Sequence, residues 1–129
     1  MSDKAAVRTE EAPAPFQGAP YSQAIVGGGL IFVSGQLALT PESHEIAGDG
    51  IAEQTEQVFA NLRAILEAAG SSLDRIVKTT VYLRNLDDFQ GMNEVYRRHV
   101  GEVPPARATL EVSALPSGAL VEIDAIALG

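Results

Sequence analysis

The C-terminal stretch most narrows what this chain can fold into. Residues 104–112 read Pro-Pro-Ala-Arg-Ala-Thr-Leu-Glu-Val, Leu115-Pro116-Ser117-Gly118 follow, and residues 120–128 read Leu-Val-Glu-Ile-Asp-Ala-Ile-Ala-Leu. In the first run Arg107, Thr109 and Glu111 alternate with Ala108, Leu110 and Val112, the period of a half-buried strand. Pro104 and Pro105 stop any helix ahead of it. In the second run Val121, Ile123, Ala125 and Ala127 share one face, and Glu122 and Asp124 share the other with Ile126 and Leu128. Taking a carboxylate or guanidinium out of water is costly unless it is paired. A sheet face expected to carry both Arg107 and Glu122 is therefore either solvated surface or a functional pocket. Spacing leaves both readings open, because strands with one wet face are common.

Bulk properties remove several alternatives. The 129 residues suit one domain, expected over residues 17–129, and no apolar run approaches the roughly 20 residues of a membrane span. Residues 1–16 mix Glu10-Glu11 with Ala-Pro steps, too little apolar surface to offset ordering entropy, and are expected as a mobile or draped tail. They lack the pattern of a secretory signal, so a cytoplasmic location is expected. No cysteine is present, which removes disulfides, thiolate nucleophiles and Cys-based zinc sites; two histidines, His44 and His99, are too few for a histidine-rich metal centre. Seventeen acidic against nine basic residues give a net charge of −8, which repels nucleic acid.

In chain order, residues 21–26 and 30–34 flank Gly27-Gly28-Gly29, a hairpin whose glycines supply positive φ. No helix start or Lys-Ser/Thr follows, so these glycines do not read as a phosphate cradle. Residues 39–50 form a loop with a short ladder near Glu45-Ile46; His44 lies there, and a Ser34-His44-Asp49 triad lacks a nucleophile-elbow context. Residues 51–69 carry apolar side chains at a 3.6 period and end at Gly70, a long helix with a glycine cap. Residues 76–83 are β-branched and strand-like. Asn85 offers N-cap chemistry, and Phe89, Met92, Tyr96 and Val100 mark a second helix, with His99 placed to favour its C-terminal dipole. The order β-β-loop-α-β-α-β-β predicts an α+β fold, a mixed sheet with both helices on one face and the other face open. An open face bearing charged and apolar positions argues for an oligomer.

The ordered set Ala19-Pro20-Tyr21-Ser22-Gln23-Ala24, Val33-Ser34-Gly35-Gln36, residues 76–83, Asp88-Phe89 ahead of Met92-Asn93 and Tyr96, and Pro-Ala-Arg-Ala-Thr-Leu-Glu-Val with Val-Glu-Ile-Asp-Ala-Ile-Ala resembles the Rid family of reactive-intermediate (imine) deaminases. That family is also called YjgF-like or L-PSP. The resemblance implies a chorismate-mutase-like fold, assembled as a barrel-like homotrimer with sites at the subunit interfaces. It further implies cofactor-independent hydrolysis of 2-enamino and 2-imino acids, such as 2-aminoacrylate and 2-aminocrotonate, to 2-oxo acids and ammonia. Pyridoxal-phosphate dehydratases would supply these substrates. Arg107 and Glu122 match the family positions assigned to the substrate carboxylate and the attacking water. Tyr21, Asn93, Ser34, Gly35 and Thr109 match positions that line the site. Thr109 stands where many members carry Cys, a change that bears on pocket polarity.

The chemistry of those two residue types agrees with the roles the resemblance implies. An imine of a 2-oxo acid needs a cation for its carboxylate, and a planar guanidinium binds one through two parallel charge-assisted bonds. It also needs a group to orient water and take its proton, a carboxylate task. Two other classes compete: a non-catalytic trimer that binds 2-oxo acids or amino acids, and an L-PSP-type endoribonuclease or translation inhibitor. The acidic balance disfavours the latter.

Overall fold

The computed structural model describes residues 3–129. Six strands form one mixed sheet: β1 (Ala5–Val7), β2 (Ala24–Gly27), β3 (Leu30–Gln36), β4 (Ile76–Leu83), β5 (Ala106–Glu111) and β6 (Val121–Leu128). Their spatial order is β1-β2-β3-β6-β4-β5. All neighbouring pairs are antiparallel except β4 and β5, which run parallel. Helix α1 (Ile51–Ala68) joins β3 to β4, and α2 (Phe89–His99) joins β4 to β5. The hairpin turns at Gly28 (φ 60°) and Gly29 (φ 78°), positive angles at both loop positions of a two-residue connection. The long helix ends as its glycine requires, with Gly70 at φ 81°. Among the described residues no helix is long and apolar enough to cross a membrane.

Both helices pack on one face. Val58, Phe59, Leu62, Ile65 and Leu66 of α1 are fully buried, the stripe that its period dictates. They meet Ile31 and Val33 of β3, Val81 and Leu83 of β4, and Val121, Ile123, Ala125 and Ala127 of β6 in one apolar cluster. Each large side chain so buried contributes about 1.5–3 kcal/mol relative to exposure. The second helix adds Met92 and Tyr96 to the cluster, and Val100, the residue after its last turn, joins them. Tyr96 reaches the sheet through its hydroxyl, 2.7 Å from Thr79 Oγ1, and sets its ring edge-on to Phe59. His99 stacks on Phe59 and bonds Glu56 Oε1 at 2.7 Å, so it ties α2 to α1 beyond the dipole role expected of it. The opposite face carries no helix and leaves Phe32, Leu110 and Leu128 exposed.

Two buried amides of α1 fix the loops that lead to the open face. Asn61 Nδ2 donates to the carbonyls of Leu37 (3.1 Å) and Leu39 (2.9 Å), holding the chain as it leaves β3. Gln54 Oε1 accepts from Leu120 N (2.9 Å) and so fixes the start of β6. The expected ladder in the loop reduces to one bridge between Leu39 and Ile46.

The N-terminal segment departs from expectation. Residues 5–7, expected within a mobile or draped tail, pair with β2 as an edge strand, Ala6 opposite Ile25. Val7 and Ala12 are buried. The cause lies outside the segment. Gln23, itself buried, accepts from Thr9 N (2.8 Å) and donates to the carbonyls of Thr9, Ala12 and Pro13. One side-chain amide thereby satisfies backbone groups that would otherwise keep this stretch in water. Gln23→Leu should release residues 9–13 to fast amide exchange and lower stability by about 1–3 kcal/mol. Unchanged exchange across that segment would contradict the assignment.

Candidate functional site: two separate half-sites

Antiparallel pairing of β3 with β6 breaks register between Val33 and Gln36, where three steps along β3 match two along β6. The extra residue forms a bulge at Ser34-Gly35, the device by which sheets re-aim a side chain. At Gly35 a Cβ would collide with Glu122 Oε2 and lie 2.9 Å from its Cδ, so the carboxylate occupies the space a side chain would need. Ser34 Oγ donates to the Ser22 carbonyl (2.6 Å), pinning the approach to β2 against the bulge. Tyr21 sits at that approach; its phenolic oxygen accepts from Phe16 N at 2.6 Å, leaving its own proton free to donate. Tyr21, Ser34, Gly35 and Glu122, with Phe16, Leu37 and Pro116, line a recess of about 330 Å³. Burial pushes the Glu122 carboxyl above its ordinary value, and the charge of Asp124 adds to the shift. Asp124 is itself held by the Tyr82 hydroxyl at 3.1 Å.

Arg107 is organised by α2. Its Nη1 donates to Asn93 Oδ1 at 2.8 Å. The guanidinium lies 4.7 Å from the centre of the Tyr96 ring and 5.5 Å from that of Phe89, both within cation–π range. These contacts leave the remaining guanidinium N–H groups for an anion. A second recess, about 270 Å³, is lined by Asn93, Tyr96, Arg97, Val100, Pro104 and Arg107. Thr109, two residues on along the same face of β5, has a buried Oγ1 with no hydrogen-bond partner among the described residues.

The expectation that one sheet face carries both Arg107 and Glu122 is wrong. Residues opposite one another in a ladder point to the same side of the sheet. Arg107 is level with Thr79, which is level with Ala125, all on the helix-covered side. Glu122 is level with Tyr82, which is level with Leu110, all on the open side. Alternation within each strand does not fix how two strands are registered; β4 lies between β5 and β6 and sets both registers. Seven expected site residues therefore divide: Tyr21, Ser34, Gly35 and Glu122 meet in one recess, Asn93 and Arg107 in the other, with Thr109 beside Arg107 on its strand.

The pattern had also hidden some contributors. Tyr96 reads in the sequence as one more apolar stripe residue, yet it carries the ring beside Arg107. Arg97 reads as surface charge; its place one turn after Asn93 on the same helix face was the available signal. Phe16, Leu37 and Pro116 offered none. A separate cavity, about 500 Å³, lies under the N-terminal segment; it shares Tyr21 with the first recess but touches none of Gly35, Glu122, Asn93 or Arg107.

The state of Glu122 has a measurable consequence. A carboxyl with a raised folded pKa and an ordinary unfolded one holds its proton more tightly when folded. Ionisation then lowers stability as pH climbs from the ordinary carboxylate range through the raised value. Glu122→Gln should raise Tm at neutral pH and lose that gain at pH values below the ordinary carboxylate range. Identical Tm values for the two proteins across the range would contradict a desolvated carboxylate.

Comparison with known proteins bears on what the two recesses are for. Residues 9–129 match the family described as Endoribonuclease L-PSP. A RutC family protein of Pyrococcus abyssi is 52% identical over 124 residues, 96% of this chain and 96% of that one. The human protein named 2-iminobutanoate/2-iminopropanoate deaminase is 41% identical over 117 residues, covering 91% of this chain and 85% of its own. Among solved structures, RidA from the Antarctic bacterium Psychrobacter sp. PAMC 21119 superposes with a TM-score of 0.91 at 44% identity, covering 97% of this chain and 99% of that one. With its six-stranded mixed sheet, paired helices and near full-length matches, the chain belongs to the Rid (YjgF, L-PSP) family, whose members include reactive-intermediate deaminases.

Proposed function

We propose that the protein hydrolyses reactive 2-imino and 2-enamino acids, such as 2-iminopropanoate and 2-iminobutanoate, to 2-oxo acids and ammonia. The observation that carries this reading is the division of the site. One recess offers a cation for a carboxylate, the other a carboxylate for a water, and they lie on opposite faces of one chain. A second copy docking its open face against the Arg107 edge would join the halves. The exposed Phe32, Leu110 and Leu128 on that open face support such docking, since a monomer gains nothing by showing them to water. A closed ring of three copies would hold three such joined sites, each contact using the same two unlike surfaces.

Within a joined site, Arg107 holds the substrate carboxylate through N–H groups that Asn93 does not use, and the flanking rings keep the guanidinium plane fixed. Glu122 takes a proton from water as the water oxygen adds to the C=N carbon, and that proton passes to nitrogen. The resulting carbinolamine collapses: its hydroxyl proton passes by way of the Glu122 carboxylate to the amino nitrogen, the C=O forms as the C–N bond breaks, and ammonia departs. A raised carboxyl pKa suits a group that must first accept and then return a proton near neutrality. The Tyr21 hydroxyl, which lines the same recess as Glu122, donates to the departing or attacking atom. Thr109 Oγ1, unpartnered among the described residues, would find its bond to the substrate or the neighbouring copy. Pyridoxal-phosphate dehydratases, which release enamines and imines of this kind, are the expected source. RNA cleavage is disfavoured by the net charge of −8.

A dehydratase acting on threonine or serine, coupled to this protein, should release 2-oxo acid faster than it does alone. Glu122→Gln should lower kcat by about 10²–10⁴-fold, the usual worth of a general acid–base, while 2-oxo acids still bind. Arg107→Lys keeps the charge without the fork and should chiefly raise KM. Full activity in both variants would overturn the assignment.

A further inference from the structure

We infer that the substrates this protein handles best carry a second carboxylate on the side chain, and that Arg97 is the residue that selects them. The inference rests on the hydrolytic reading above and deepens it. The recess around Arg107 holds not one cation but two: Arg97 lines the same 270 Å³ space. Residues 93 and 97 are one helical turn apart and rise from the same face of α2. Asn93 is spent on positioning Arg107, so Arg97 is the next polar group along that wall.

The charge bookkeeping around α2 makes Arg97 unusual. Its last turn carries Arg97, Arg98 and His99 in succession. Arg98 and His99 both engage Glu56 of α1, at 2.8 and 2.7 Å. Among the described residues neither Arg97 nor Arg107 has a carboxylate within ion-pair distance, in a chain where acids outnumber bases seventeen to nine. Two cations left without counter-charges in one recess of so acidic a protein form a local anion site. A single 2-imino carboxylate satisfies one of them. A side-chain carboxylate two or three bonds further on would satisfy the second, with Val100 and Pro104 giving the linking methylenes an apolar wall. The substrate class is thus the imines of acidic 2-oxo acids, represented by 2-iminosuccinate and 2-iminoglutarate. Water adds to their C=N carbon and ammonia leaves as in the monocarboxylate case, so the reaction needs no further reactant.

The test generates imines in the presence of the protein with flavin amino-acid oxidases, from aspartate and glutamate on one side and 2-aminobutyrate on the other, and follows imine decay. The dicarboxylate imines should show the higher kcat/KM. Arg97→Gln should lower that value about tenfold, the worth of one charge-assisted bond at a partly exposed site, and leave 2-iminobutanoate turnover unchanged. Arg97→Lys should restore part of the loss. In parallel, calorimetry should find 2-oxoglutarate binding more tightly than 2-oxobutanoate in the unaltered protein but not in Arg97→Gln. Equal or better turnover of 2-iminobutanoate, or an Arg97→Gln loss shared by all substrates, would overturn the inference while the hydrolytic reading stands. Turnover of none of the imines would overturn both.

Discussion

A strand shows only every second residue to a given side of its sheet, and here that constraint decides where function can reside. Val121, Ile123, Ala125 and Ala127 are spent on the core under α1, so Glu122 and Asp124 must face the other way. Because β4 pairs with both β5 and β6, the same register that buries Ile123 against Val81 turns Arg107 toward α2. No side-chain motion within one chain can undo this. Bringing cation and carboxylate together requires either a different register, which would expose the core face of β6, or a second copy. Packing of the core and the placing of Arg107 and Glu122 on opposite sides of the sheet are therefore consequences of one alternation.

Each half is prepared locally for opposite electrostatic duties. The bulge at Ser34-Gly35 lets backbone close on the Glu122 carboxylate, removing water from it without supplying a cation, and Asp124 adds a like charge. Glu122 therefore holds a proton more tightly than an ordinary carboxyl does. Arg107 instead lies over two aromatic rings and against a neutral amide, an environment that orients the guanidinium and, among the described residues, offers its charge no carboxylate. A carboxylate with a raised pKa and a cation with no carboxylate partner among the described residues suit the proposed attack of water on a bound anion.

Much of this was legible in the sequence, and what was not has physical reasons. Helix α1 announced itself because its apolar stripe and terminal glycine are local signals. The hairpin at Gly27-Gly28-Gly29 did so because positive φ at consecutive positions demands glycine. The edge strand at Ala5–Val7 was not readable, since it depends on pairing with β2 and on the Gln23 amide that fixes the stretch after it, Thr9 to Pro13, and nothing in Ala5-Ala6-Val7 distinguishes a strand from a tail. Residue types in the site were readable, but their division between two faces was not. That depends on β4, more than twenty residues upstream of β5, being inserted between β5 and β6. Arg97 was hidden for a related reason: a surface arginine acquires meaning only when the neighbouring acids are seen to be engaged elsewhere or absent.

The central claim is that a working site takes Arg107 from one copy and Glu122 from another. Complementation tests it most directly. Arg107→Ala and Glu122→Gln chains, each inactive alone, are unfolded, mixed in equal amounts and refolded together. Shared sites predict that activity returns, because random assembly pairs an intact Arg107 with an intact Glu122 in about one site in four. A mixture that forms oligomers as readily as the unaltered protein yet stays as inactive as either parent would contradict the account.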